Sequence, residues 1–154
     1  LKGIAQVMSA DLGTRIYYAQ HGSFDTHTNE LVNHALLWDQ VSNAVECFWD
    51  DLEKLGKREE TVIWMFSEFG RRIADNGTGT DHGSGGVAFV LGDSVNGGLY
   101  GEYPKLGLSD QLEGDVHFNT DFRQVYATLL EDVLGVESEP VLKDKFSTLD
   151  LVKS

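Results

Sequence analysis

Apolar positions along the chain fall into two rhythms. From Glu30 to Leu55 they recur at three- and four-residue steps, at Leu37, Val41, Ala44, Val45, Phe48, Trp49, Leu52 and Leu55. That spacing lines one face of a long amphipathic helix. Thr28 or Asn29 can cap its start, Glu30 suits its first turn, and Gly56 is placed to close it. A second helical rhythm runs through Phe122, Val125, Tyr126, Leu129, Leu130 and Val133. It starts at Thr120 or Asp121 and ends at Gly135.

The other apolar runs are short and lack the helical period. "TRIYYAQ" from Thr14, "TVIWMF" at 61–66 and "GVAFVLG" at 86–92 each read as a strand, bounded by turn-forming residues. The second is uninterrupted, as in a central strand covered on both faces by helices. "VNGGLYGEYP" holds an Asn-Gly turn that should reverse the chain, and the tail after Pro140 reads as coil with a short closing helix or strand. The order strand, helix, strand, loop, strand, helix predicts one α/β domain over residues 1–154. Its expected architecture is a layered sheet with helices on both faces, with ligands bound beyond the carboxyl ends of the strands.

Composition narrows the function classes. Hydrophobic residues make up 41% and charged residues 24% of the 154, as in an ordinary globular domain. No apolar run approaches the roughly 20 residues that cross a bilayer. Twenty-five acids against twelve Lys and Arg give a net charge of −13. Such a surface repels a phosphate backbone, so nucleic-acid binding is not expected. The single cysteine, Cys47, excludes an internal disulfide and a four-cysteine zinc site; within "AVECFWDDL" it reads as a buried packing residue. The opening "LKGIAQ" carries neither an initiator Met nor a signal segment, which reads as a fragment or a processed form.

Three polar clusters adjoin the predicted strands: His21, Asp25 and His27 after the first, Ser67, Glu68 and Arg71 after the second, and Asp81 with His82 before the third. If the loops converge, several carboxylates and imidazoles meet at one point. Carboxylates crowded together raise one another's pKa unless a cation neutralises them, and a metal holds imidazole in its neutral form. A mixed carboxylate and imidazole set favours zinc, manganese or iron, whereas calcium prefers oxygen alone.

Each residue also has a plainer reading. Asp25 can be a turn or cap residue, His27 a first-turn surface residue, Glu68 a partner for Arg71 or Arg72, and Asp81 a local cap. His34 beside the apolar helix face reads as structural, and His117 has no motif around it. Glycines at 77, 79, 83, 85 and 86 flank Asp81 and His82, giving a backbone that can approach a bound group closely. The run is not a phosphate-binding Walker loop, since no Lys-Ser or Lys-Thr follows it and a strand comes next. A Gly-x-Ser-x-Gly nucleophile elbow is absent as well.

"GSFDTH", "FSEFGRR", "NGTGTDHGSGGVAFVLG", "NGGLYGEYP" and "TDFRQVYATLLEDVLG", in that order, resemble the C-terminal half of the bacterial domain-of-unknown-function family numbered 1501. The resemblance covers about Thr14 to Leu142. That family is similar to the alkaline phosphatase and sulfatase superfamily, which implies an alkaline-phosphatase-like fold, of which this chain would be the C-terminal portion. It also implies a pair of divalent metals, hydrolysis of phosphate or sulfate esters, and export to the periplasm or cell surface.

By the same resemblance Asp25 with His27, or with His21, would hold a first metal that His82 completes. Glu68 would stand where a second metal has an Asp ligand, and Arg71 would steady the transferred group. The superfamily follows that Asp with a His, whereas this chain has Phe69; Asp81 is the candidate substitute. The nucleophile region of the superfamily precedes the segment present here. The expected cofactor is a divalent metal, zinc first and manganese or calcium after it, and the expected partner is a small-molecule or polymeric ester. The alternative is a non-catalytic cell-envelope binding or scaffold protein with a degenerate metal site.

Overall fold

The computed structural model describes residues 1–153. The chain is a mixture of helices and small antiparallel sheets, divided into two compact units. One comprises Leu1–Glu59 and Ala74–Asp81, the other Glu60–Ile73 and the chain from His82 onward.

In the first unit, α1 (Lys2–Ser9) packs on α2 (Glu30–Leu55). The α2 bounds are those its apolar period predicts. Ala5, Leu37, Phe48 and Leu52 are buried, and burying side chains of this size stabilises the unit by about 1.5–3 kcal/mol for each large one. Gly56 ends the helix at φ +67, a conformation that a Cβ disfavours. The N–H groups of Gly56 and Lys57 donate to the carbonyls of Glu53 and Leu52 at 3.0 and 2.9 Å, the paired closure of a Schellman motif. Cys47 is exposed, contrary to the packing role expected for it. It precedes Phe48 by one residue and so turns about 100° away from the buried stripe.

In the second unit, β1 (Ile63–Met65) pairs antiparallel with β4 (Phe89–Leu91), with Trp64 opposite Val90. Trp64 stacks on Phe66, and Tyr126 stands edge-on to both. The strands β5 (Gln111–Leu112) and β6 (Asp115–Val116) form a hairpin whose turn residues, Glu113 and Gly114, both have positive φ, 53° and 90°, as a two-residue hairpin turn of the primed type requires.

Helix α3 (Phe122–Thr128) starts at Asp121 with a capping box shared with Gln124. The Arg123 guanidinium, hydrogen-bonded to the Asp121 carboxylate, holds that carboxyl below its usual range, with partial burial opposing. The helix runs on as a π-helical turn over Leu129–Val133, and Gly135 follows at φ +66. Thr128 is fully buried; its hydroxyl donates to the Gln124 carbonyl and accepts from the Leu149 N–H. After α4 (Glu139–Leu142) the tail is held by a Val95–Val152 bridge and by Asn96, whose side-chain amide donates to the carbonyls of Asp150 and Val152.

The remaining strands, β2 (Gly70–Asp75) and β3 (Thr80–Gly83), pair with each other. Among the described residues, three two-stranded sheets thus stand where one layered sheet was expected. Residues 14–20 form no strand. Ile16 and Tyr18 there are exposed, because β-forming residues make a strand only when a partner edge is available. Conversely, much of "SEFGRR" and of the glycine-rich run, both expected as loops, is strand. Among the described residues no helix is long and apolar enough to cross a membrane.

Candidate metal centre

The segment before α2 carries His21, Asp25 and His27. His21 lies edge-on to Phe24, which in turn meets His34 and Trp38 edge-on. Trp38 Nε1 donates to His34 Nε2 at 3.0 Å. His34 therefore serves an aromatic cluster, as expected of a structural histidine, and His21 joins the same cluster. Asp25 faces the other candidate: its Oδ1 lies 3.5 Å from His27 Nδ1, with both side chains about half exposed.

The turn at 76–79 is built around the start of α2. Asn29 precedes the helix at φ 49 without a side-chain cap, so the exposed helical N–H groups need other acceptors. The Glu30 N–H finds the Thr78 carbonyl at 3.0 Å. In return, the Glu30 carboxylate accepts from the Thr80 N–H at 2.6 Å and from the Thr80 hydroxyl at 2.9 Å. Within the turn, Asp75 accepts from the Gly77 N–H, and Asn76 Oδ1 accepts from the N–H groups of Thr78 and Gly79.

Asn76 also ties the turn to the acid and histidine pair. Its Nδ2 donates to the His27 carbonyl at 3.1 Å and to Asp81 Oδ1 at 3.3 Å. Gly79 fits here because it lacks a side chain: a Cβ would stand 2.8 Å from Glu30 Oε2 and 2.9 Å from the His27 carbonyl. The first unit thus brings together Asp25, His27 and Asp81 around one asparagine.

The remaining candidates belong to the second unit. The His82 and Phe69 rings are stacked, with centroids 4.1 Å apart and planes 8° from parallel. The Arg71 guanidinium carbon lies 4.9 Å from the Phe69 centroid. Arg72 is structural: it donates to the Glu113 carbonyl at 2.6 Å and pairs with Asp115 at 3.4 Å. Glu68 is exposed.

The close backbone approach is built from glycines. A Cβ on Gly70 would collide with the Gly85 backbone, one on Gly85 with Val116, and one on Gly83 with the Arg71 carbonyl region. Arg71 N–H donates to the Gly85 carbonyl at 3.3 Å. The glycines therefore serve strand contact more than mobility.

Asp25, His27 and His82 are exposed and each offers a metal-ligating atom. Carboxylate oxygen and imidazole nitrogen together are a donor set that suits zinc. The residues that sequence reasoning missed are Asn76, Glu30 and Phe69. The first had a signal in the Asn76-Gly77 dipeptide, a turn marker. Glu30 was read only as a first-turn acid, because its partner Thr80 lies 50 residues on.

A family model matches residues 2–143, under the description "Protein of unknown function (DUF1501)". The chain belongs to this family. Comparison with curated proteins and with solved structures gives no match. Membership in DUF1501 bears out the family resemblance carried by the five motifs.

Proposed function

We propose that this DUF1501 chain carries part of a divalent-metal site of a hydrolase acting on phosphate or sulfate esters, in a protein of the periplasm or cell surface with an alkaline-phosphatase-like fold. The observation that carries the reading is the exposed Asp25 and His27 pair, 3.5 Å apart and joined through Asn76 to Asp81. His82 follows Asp81 directly and is the third proposed ligand, while Glu68 is the candidate for a second ion. Zinc fits this donor set first and manganese next; calcium fits least.

At 3.5 Å, Asp25 Oδ1 and His27 Nδ1 are close enough to bind one ion between them, as oxygen and nitrogen ligands about 2 Å from zinc would. Asn76 donates to the His27 carbonyl and to the Asp81 carboxylate and so holds these two residues in register. Arg71 supplies a fixed positive charge for an anionic ester group as its charge grows in the transition state. A bound divalent ion would add Lewis-acid polarisation of the ester oxygen.

The second reading is a non-catalytic envelope binding or scaffold protein. It is favoured by Phe69, whose ring is engaged with His82 and Arg71 and cannot ligate. Hydrolysis of nitrophenyl phosphate and nitrophenyl sulfate separates the two. The hydrolase reading predicts turnover that is abolished by chelator and restored by zinc or manganese. Absence of turnover with the metal-loaded protein would leave the scaffold reading standing.

A further inference from the structure

Phe69 does more than fill the place of a missing ligand. Its ring lies flat against the His82 imidazole, 4.1 Å between centroids and 8° from parallel, and it carries the Arg71 guanidinium 4.9 Å from its centre. His82 is exposed. An exposed imidazole samples several rotamers and must give up that freedom to coordinate. A flat aromatic partner restricts it beforehand.

The backbone on either side makes the partner rigid. Phe69 N–H is 3.4 Å from the Ser67 hydroxyl, which accepts it, and the next residue, Gly70, is buried in contact with the Gly85 backbone. Gly83, immediately after His82, is in comparable contact with Arg71. Both members of the stack are therefore tethered to glycines that cannot shift without opening the strand contact.

We propose that Phe69 is a positioning residue that holds the His82 imidazole in its metal-binding orientation and Arg71 beside it. The inference rests on the metal-site reading above, with His82 as a ligand. It predicts that ring planarity, not bulk, matters at position 69: tyrosine should serve and leucine should not.

The test uses zinc alone, titrated calorimetrically into this chain and its Phe69→Tyr, Phe69→Leu and His82→Ala variants. Phe69→Tyr should bind zinc as the parent does, while Phe69→Leu should weaken binding by roughly tenfold, as loss of a support to a ligand histidine typically does. A metal-free readout accompanies it: in the proton spectrum the His82 ring signals should be shifted upfield by the adjacent ring in the parent and in Phe69→Tyr, and lose that shift in Phe69→Leu. Zinc affinity lost in His82→Ala but unchanged in Phe69→Leu would overturn the positioning role alone. Zinc affinity unchanged in His82→Ala would overturn the underlying metal reading. An unshifted His82 signal in the parent would show that the stack does not persist in solution and would also overturn the inference.

Discussion

Two turns of this molecule are each held by a charged side chain far away in sequence, and they differ in what that side chain does. The turn at 76–79 is gripped by Glu30, 50 residues from Thr80, through a carboxylate that accepts backbone and hydroxyl hydrogens. The turn at 113–114 is gripped by Arg72, which donates to the Glu113 carbonyl 41 residues away and pairs with Asp115. The first turn satisfies a helix N-terminus and carries the candidate ligand Asp81 at its end. The second satisfies only its own hairpin. Anchoring from outside can thus serve either a site or a fold, and the side effects of removing the anchor distinguish the two.

The largest effect should come from the close backbone contact between Gly70 and Gly85. Gly70→Ala places a methyl group into the Gly85 backbone, and the strands must separate to admit it. A loss of about 3 kcal/mol is expected, the upper end of overpacking costs, read as a drop in the urea midpoint. A variant as stable as the parent would show that this backbone contact is looser than described.

Glu30→Ala comes next. It leaves the Thr80 N–H without its acceptor and removes an acid from a helix start, a combined cost of about 2 kcal/mol. Zinc affinity should fall with it, because the same turn carries Asp81. Arg72→Met is the matched change at the other turn, expected to cost about 1 kcal/mol given the partial exposure of the pair. It should leave zinc affinity unaltered; a loss there as large as in Glu30→Ala would erase the distinction between the turns. The smallest effect has the opposite sign. Glu113 sits at φ 53, where Asn is better tolerated, so Glu113→Asn should raise stability by about 0.5 kcal/mol, measurable as a small rise in Tm.

The two turns also mark where the sequence was readable. The C-terminal part of helix α2 was legible because the apolar period from Leu37 to Leu55 and a closing glycine agree, whereas Asn29 at its start makes no side-chain cap. The start of α3 was legible because Asp121 and Gln124 are a local capping pair. The strands were not. Their residues are few, and the edges they pair with, such as Trp64 with Val90, are set by contacts that no local pattern encodes. The glycine-rich run was read as a loop able to approach a bound group closely, and Gly79, Gly83 and Gly85 do stand in close approach, but to the protein's own atoms. Glycine signals both freedom and close approach, and only the neighbours decide which.

In the candidate site, Asp25 and His27 were legible as neighbours in sequence and are neighbours in space. The bonds that join them to Asp81 run through Asn76, a residue that carried no chemistry of its own in the sequence. The Phe69 stack on His82 was likewise invisible, because a phenylalanine after Glu68 reads simply as a ligand that is missing.

The central claim is that the Asp25 and His27 pair binds a divalent ion. The most direct measurement is a calorimetric titration of zinc into this chain and into its Asp25→Ala and His27→Ala variants, with circular dichroism confirming that each variant is folded. The account predicts one ion per chain for the parent and a loss of roughly tenfold or more in affinity for each variant. Zinc binding of equal strength in parent and variants, or no binding by the parent, would contradict it.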